Sequence, residues 1–321
     1  MSFWTRKKVL VTGGAGFIGS YLVERLVKEG AIVSVVDNLE RGSLNKLSAV
    51  ASDIRFMKGD LRDKNECDAF TAGVDVVFHL AAKAVGLEYS LSHQSEMFSE
   101  NLLINANVLR ASLKNNVSRL LAVSTSCVYP DDAAVPTPET KGWEGTPESA
   151  NEGYGWAKRM LEKQATYYAN EHGMEIAIVR PFNVYGGRTY WDDVKSHVIP
   201  TLINKIMGKD DPVVVWGSGD QSRSFIHVKD VARAFLELTE RYAICDPVNL
   251  GYPEELTIRQ LVTHLMKITG SKKRIIYDTS KPEGKRRKGA DMSKFFSILT
   301  DFGIFISYEE GLHDVVQDYP G

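Results

Sequence analysis

Short apolar runs rich in branched residues recur along the first half of the chain, at Lys8–Val11, Ile32–Asp37, Ile54–Lys58, Val74–Leu80, Leu120–Ser124 and Ile176–Arg180. Segments of crossover length, helical in character, separate them. Their length and β-branched content predict strands, and strands alternating with helices predict an α/β fold whose parallel sheet is covered on both faces. The alternation loosens after Arg180, where Gly186-Gly187, Trp216-Gly-Ser-Gly219 and Lys281-Pro-Glu-Gly-Lys-Arg-Arg-Lys288 punctuate shorter elements. Residues 1–180 therefore read as one domain and 181–321 as a smaller, discontinuous lobe, with about 225–250 expected to rejoin the first domain. The sequence has no internal repeat and no long low-complexity linker.

The first strand runs into a glycine-rich turn, Val9-Leu-Val-Thr-Gly-Gly-Ala-Gly-Phe-Ile-Gly19. Gly13, Gly16 and Gly19 stand where a strand opens into a helix. There, missing side chains permit a tight turn, a diphosphate close to the backbone and close helix–sheet packing. An acidic residue, Asp37, ends the second run, and this context predicts a Rossmann-type doubly wound sheet that binds a dinucleotide. The Asp37 carboxylate would accept hydrogen bonds from ribose hydroxyls and repel the extra phosphate of NADP, which favours NAD. Two other readings stay open: Asp37 capping a turn with Asn38, and Arg41 answering a phosphate. Asp60-Leu61 and Leu80-Ala81-Ala82-Lys83 follow the third and fourth runs, where the adenine and the second ribose would pass; plain strand-end packing is the alternative.

Composition narrows the function classes. Across 321 residues, 39 basic and 41 acidic side chains leave a formal charge of −2, with no general attraction to nucleic acid or to an anionic membrane. No apolar stretch is long enough to span a bilayer, and the opening Met-Ser-Phe-Trp-Thr-Arg-Lys-Lys leads into a strand rather than a signal-peptide core, so a cytoplasmic protein is expected. Cys67, Cys127 and Cys245 show no metal-ligand or redox spacing, and neither a metal site nor a disulfide framework is expected.

Tyr154-Gly-Trp-Ala-Lys158 supplies the candidate chemistry. A phenol titrates near about pH 10 and serves as a base at neutral pH only beside a cation that stabilises its phenolate. On a helix, positions i and i+4 share a face, so Lys158 can be that cation. Upstream, Val123-Ser-Thr-Ser-Cys-Val-Tyr-Pro130 puts hydroxyls and a thiol at the carboxyl end of a central strand, the ligand crevice of an open α/β sheet. For the diphosphate of a substrate, Arg223, Arg287 and Lys288 are candidates, since guanidinium forks match phosphate oxygens. A solvated basic loop is the alternative for 285–288. Tyr190 and Trp191 read either as stacking platforms or as packing.

With these motifs on view, nearly the full chain resembles the extended short-chain dehydrogenase/reductases of the NAD-dependent epimerase/dehydratase type. The resemblance implies that Thr125 bonds the reacting sugar oxygen, that Tyr154 transfers its proton, and that Lys158 holds tyrosine and nicotinamide ribose. It adds Phe17, Ile18 and Pro181 to the cofactor contacts and Asn183 and Val198 to those of the substrate. Ser124-Thr-Ser-Cys-Val-Tyr-Pro130 looks most like the GDP-L-fucose synthase and GDP-mannose 3,5-epimerase branches, and Ser196-His-Val-Ile-Pro200, Val215-Trp-Gly-Ser-Gly219 and Ser224-Phe-Ile-His-Val228 agree further with the fucose synthase branch. In that branch a cysteine and a histidine form the acid/base pair of epimerisation, which implies Cys127 and His197 here. The dehydratase branch carries an acidic pair after its catalytic hydroxyl; Ser126-Cys127 stands there instead, which argues against elimination of water.

The function expected is NAD-dependent epimerisation of a nucleotide sugar, 3,5-epimerisation of a GDP-hexose through a transient 4-keto sugar. The alternatives are a GDP-4-keto-6-deoxyhexose 3,5-epimerase/4-reductase, a UDP-hexose 4-epimerase and a non-catalytic dinucleotide sensor. The resemblance also implies a homodimer formed through a helix pair.

Overall fold

The computed structural model describes residues 2–191, 197–281 and 285–320. Ser196 and 282–284, which belong to motifs quoted above, lie outside them. In chain order the elements are β1 (Lys8–Thr12), α1 (Phe17–Lys28), β2 (Ile32–Asp37), β3 (Ile54–Lys58), α2 (Lys64–Phe70), β4 (Val76–His79), α3 (Leu87–Ser92), α4 (Gln94–Lys114), β5 (Arg119–Val123), α5 (Glu152–His172) and β6 (Glu175–Pro181). The second half contains β7 (Val184–Tyr185), α6 (Val198–Met207), β8 (Val213–Trp216), β9 (Ser222–Arg223), β10 (Ile226–His227), α7 (Val228–Arg241), β11 (Val248–Leu250), β12 (Leu256–Thr257), α8 (Ile258–Thr269), β13 (Ile275–Asp278), β14 (Arg287–Lys288), α9 (Ser293–Ile298) and α10 (Tyr308–Gln317).

Seven strands form one parallel sheet in the order β11-β6-β5-β4-β1-β2-β3. Strand side chains alternate between faces, and here both faces are buried. Val9, Val11, Val76, Phe78, Leu121, Val123, Ala177 and Val179 enter one core with α1 and α7. The residues between them, Leu10, Val77, Leu120, Ala122, Ile176 and Ile178, enter the opposite core with α4 and α5. Two-sided burial explains why these strands read as continuous apolar runs. The order reverses at β1, whose neighbours are β2 and β4, and the carboxyl ends of the strands there form the crevice of a doubly wound sheet.

The fourth strand is shorter than its apolar run. Val74 closes the turn after α2 through its bond to Thr71, and the ladder partners Asp75 and Leu80 bond Lys8 and Thr12 beyond the strand ends. Beyond β6 a third core forms in the lobe. Along α6, Ile199, Leu202, Ile203 and Ile206 present one stripe toward it, and in β8 Val213 and Val215 point in while Val214 and Trp216 point out. The chain also returns to the large sheet: α7 packs beside α1, and β11 extends the sheet past β6.

Candidate active site

A cleft of about 660 Å³ runs along the carboxyl ends of the central strands and under the lobe. At one end β1 stops at Thr12 and the chain turns through Gly13, where a φ of +68° and the 2.9 Å that a Cβ would leave to the Ala81 backbone exclude a side chain. A Cβ on Gly19 would overlap the Gly13 carbonyl, which places the start of α1 hard against the turn. Gly13, Gly16, Phe17, Ile18 and Gly19 all border the cleft, as do Asp60, Leu61, Leu80, Ala81, Ala82 and Pro181.

Asp37 ends β2, 8% exposed, and accepts hydrogen bonds from Leu39 N at 2.8 Å and Ala15 N at 3.1 Å. Burial raises its carboxyl above the usual range, against the pull of those two amides. Asn38 and Arg41 border the cleft beside it. The Tyr190 hydroxyl donates to the Arg41 carbonyl, and Arg41 and Lys46 each stack 4.3 Å from its ring centroid, so Tyr190 bridges lobe and cofactor loop. Trp191 lies edge-on to Tyr319 against the lobe core and is not among the cleft-lining residues, which favours packing for Trp191, whereas Tyr190 borders the cleft. The Asp60 carboxylate is taken by Arg62, whose guanidinium also reaches Glu100 at 3.0 Å. A narrow glycine turn, a strand-end carboxylate and a continuous groove beyond them suit a dinucleotide.

At the centre of the cleft, β5 ends and Thr125 caps the short turn Ser126–Val128, its Oγ1 accepting from Cys127 N at 3.2 Å. Tyr154 and Lys158 lie on one face of α5, as their spacing requires, with the ammonium 5.7 Å from the phenol ring centroid. The expected phenolate–ammonium contact is not the bond formed. Lys158 Nζ donates to the Val123 carbonyl at 2.7 Å, because the lysine is fully enclosed and the end of β5 offers the nearest acceptor. Burial pushes that ammonium down to about 8, with Glu162 opposing. Burial, and then Cys127, raise the Tyr154 phenol above its ordinary value, so it rests protonated. Beneath this centre His79 joins Thr12 Oγ1 at 2.9 Å to Asn105 Oδ1 at 3.0 Å, and burial drives its imidazole down to about 3.

The far end holds the remaining candidates. Cys127, Asn183, His197, Val198, Arg223 and Lys288 border the cleft with Thr125 and Tyr154. Asn183 Nδ2 donates to Ser224 O at 3.1 Å, and Arg223 Nη1 to Ser222 O at 2.8 Å. The His197 ring, at the cap of α6, is open to the cleft; surrounding protein, then Arg41 and Lys288, hold its imidazole below the ordinary value. Arg287 does not line the cleft. Successive strand residues point to opposite faces, so β14 turns Lys288 inward and Arg287 outward, where Glu255 takes its guanidinium.

Glu148 and Lys285 also border the cleft and were not singled out by sequence. Glu148 pairs with Lys288 at 2.7 Å, and Lys285 donates to the Pro130 carbonyl at 2.8 Å. A carboxylate six positions before Tyr154 was the available signal for Glu148, but no spacing rule orients a loop residue. Among the described residues no cluster of His, Cys, Asp or Glu is arranged to hold a metal ion, and no helix is long and apolar enough to cross a membrane.

The model of the NAD dependent epimerase/dehydratase family matches residues 9–251. The chain is 30% identical over 328 residues to GDP-L-fucose synthase of Escherichia coli (strain K12), covering 98% of this chain and 96% of that protein. It superposes on UDP-glucose 4-epimerase with UDP-glucose from Thermotoga maritima with a TM-score of 0.86 at 30% identity, covering 97% of each chain. A GDP-L-fucose synthetase from Naegleria fowleri bound to NADP gives 0.83 at 26% identity, over 99% of this chain and 93% of that one. The glycine turn, the parallel sheet and these likenesses agree: the chain is an enzyme of the NAD dependent epimerase/dehydratase family, an extended short-chain dehydrogenase/reductase with NAD as its cofactor.

Proposed function

We propose that this enzyme epimerises a nucleotide-linked hexose, a GDP-hexose, at C3, C5 or both through its 4-keto form. The observation that carries the reading is that Cys127, Thr125, Tyr154 and His197 all line the same cleft. A ketone at C4 acidifies the hydrogens on C3 and C5, and inversion needs one group to remove a proton and another to return one. A thiol and an imidazole are suited to that exchange. NAD, when bound along the glycine turn, would supply the hydride chemistry at C4. Thr125 would hold the C4 oxygen, Tyr154 would carry its proton, and Lys158 would fix the nicotinamide ribose. Arg223, Lys285 and Lys288 would meet the diphosphate, and Asp37 the adenosine ribose, with Asn183 and Val198 beside the sugar.

A second reading, the 3,5-epimerase/4-reductase of a GDP-4-keto-6-deoxyhexose, is favoured by one observation. It is the likeness, over nearly the whole chain, to named fucose synthases, the Escherichia coli protein at 30% identity and the NADP-bound Naegleria fowleri protein at 26%.

Incubating the purified protein with GDP-hexoses in deuterated water separates the readings. Deuterium at C3 or C5 without net consumption of nicotinamide supports the first. Stoichiometric loss of NADPH with a 4-keto sugar supports the second. Inversion of a UDP-hexose at C4 without wash-in, retained in Cys127→Ser, refutes both. The homodimer implied by the family resemblance would cover Leu103 of α4 and Tyr167 of α5, exposed at 46% and 51%.

A further inference from the structure

A segment of the lobe, residues 186–190, lies against the cofactor side of the cleft through contacts that neither the glycine turn nor the Tyr154–Lys158 face requires. It leaves β7 past Gly187, where a Cβ would come within 2.9 Å of the Tyr21 hydroxyl on α1. Arg188 follows with a φ of +56°, a left-handed backbone that residues with a side chain seldom hold without outside support. That support comes from three bonds. The Arg188 amide donates to Asp318 Oδ2 at 2.6 Å, Nη1 to the Lys46 carbonyl at 3.0 Å and Nη2 to Glu24 Oε1 at 2.5 Å. The guanidinium carbon also stands 4.5 Å from the Tyr21 ring centroid. Two positions on, the Tyr190 hydroxyl donates to the Arg41 carbonyl. Among the described residues neither Arg41 Nε nor Lys46 Nζ has a hydrogen-bond partner, and both side chains rest on the Tyr190 ring. The loop that receives these bonds is itself tied to the glycine turn, since Ser43 N donates to Ala15 O at 3.0 Å. Thr189, Tyr190, Arg41 and Gly42 border the cleft together with Asp37, so lobe and cofactor domain meet at its Asp37 end.

We propose that Arg188 and Tyr190 form a strap that shuts the Asp37 end of the cleft, so that NAD associates and leaves only when the strap opens. The strap rests on NAD being the cofactor; its consequence for the sugar reaction rests on the function proposed above. Opening must break the Tyr190–Arg41 bond and both guanidinium bonds of Arg188, whose ion pair with Glu24 is mostly buried, the two side chains being 25% and 26% exposed. The Gly186-Gly187 pair at the root of the segment is the place for the hinge. Every one of these bonds joins protein to protein. Such bonds raise the barrier to passage in both directions alike and leave affinity untouched, whereas a contact to the nucleotide slows release alone. A nucleotide held behind the strap persists from one sugar to the next, which suits a hydride taken from C4 and returned to it and obstructs a reaction that must exchange its nucleotide at every turnover.

The test follows NADH in the full-length protein by stopped-flow fluorescence: release into excess NAD, association over a range of NADH concentrations, and the dissociation constant by titration. Tyr190→Phe keeps the ring beside Arg41 and Lys46 but loses the bond to the Arg41 carbonyl. Release and association should each quicken about fivefold, with the dissociation constant within about twofold of the parent's. Arg188→Met loses the ion pair and the bond to the Lys46 carbonyl and should quicken both about tenfold; Arg188→Lys, which keeps a charge beside Glu24, should fall between Arg188→Met and the parent. A merely structural role would lower the melting temperature and leave both rates alone, so parental rates in Tyr190→Phe and Arg188→Met overturn the proposal. Faster release with unchanged association, and hence a weaker dissociation constant, overturns it as well, because Tyr190 then touches the nucleotide itself. If Arg188→Met does not fold, Tyr190→Phe decides alone. The expected rates in a protein that exchanges no sugar hydrogen remove the proposed function and keep the strap.

Discussion

Replacing Glu162 with alanine takes the counter-charge from a buried cation. Glu162 lies one turn beyond Lys158 on α5 and receives Arg180 Nε at 2.8 Å and Nη2 at 2.6 Å, with neither side chain more than 2% exposed. Ser124 Oγ donates to the same carboxylate. Breaking a buried pair from one side costs about 3–5 kcal/mol, because the remaining charge is left uncompensated. The orphaned Ser124 hydroxyl adds about 1 kcal/mol. An unfolding entropy of about 2.1 cal/mol/K per residue over 321 residues turns a loss of about 5 kcal/mol into a fall in Tm of about 7 °C. Scanning calorimetry of Glu162→Ala, Arg180→Met and the double variant Glu162→Leu/Arg180→Met checks this. The double variant leaves no unpaired interior charge, so it should be less destabilised than the sum of the singles. Additive losses, or a single variant that melts within 2 °C of the parent, about 1.4 kcal/mol on the same entropy, would refute the reasoning. A second readout follows from Glu162 being the group that supports the Lys158 ammonium against burial. Its removal should move the lysine's titration below about 8, so the alkaline limb of a pH–activity profile shifts to lower pH.

Three further outcomes are expected. Gly19→Ala forces a methyl into the Gly13 carbonyl and within 2.7 Å of Gly14 Cα, so it should cost about 1–3 kcal/mol and abolish the rise in Tm that NAD confers on the parent; a full NAD-induced rise would contradict the assignment of the turn. Asp37→Asn keeps the side-chain shape but loses the charge-assisted ribose bonds, so titration calorimetry should show NAD weakened about tenfold and NADP unchanged or tighter; an unaltered ratio would free Asp37 of that role. His79 binds a proton in the unfolded chain below about 6.5 but in the folded chain only near 3, so the unfolded state holds more protons between those values and stability falls with acidification through that window. The stability advantage of the parent over His79→Gln should narrow by about 2 kcal/mol between pH 7 and pH 5, measured by denaturant midpoints; a constant gap would mean that His79 is not held neutral.

The parts of this molecule legible in its sequence are those governed by neighbours along the chain. β1, β4, β5 and β6 are visible as continuous apolar runs because both of their faces are buried, and the glycine turn is visible because steric exclusion at Gly13 and Gly19 is local. Helical spacing likewise brings Tyr154 and Lys158 to one face of α5. What the lysine then bonds is decided by the carbonyl at the end of a strand 35 positions earlier, and spacing carries no information about that. The basic run before Gly289 shows the same limit more sharply. By charge alone Arg287 and Lys288 are equivalent, and both were candidates for a diphosphate. Their difference arises from the parallel pairing of β14 with β9, which sets Arg287 beside Ser222 and Lys288 beside Arg223. Ser222 and Arg287 share the face that meets Glu255, while Arg223 and Lys288 share the face that meets the cleft. A register shift of one residue would exchange the two cations. The cleft's charge next to Cys127 is therefore a property of strand pairing, and only a structure can assign it.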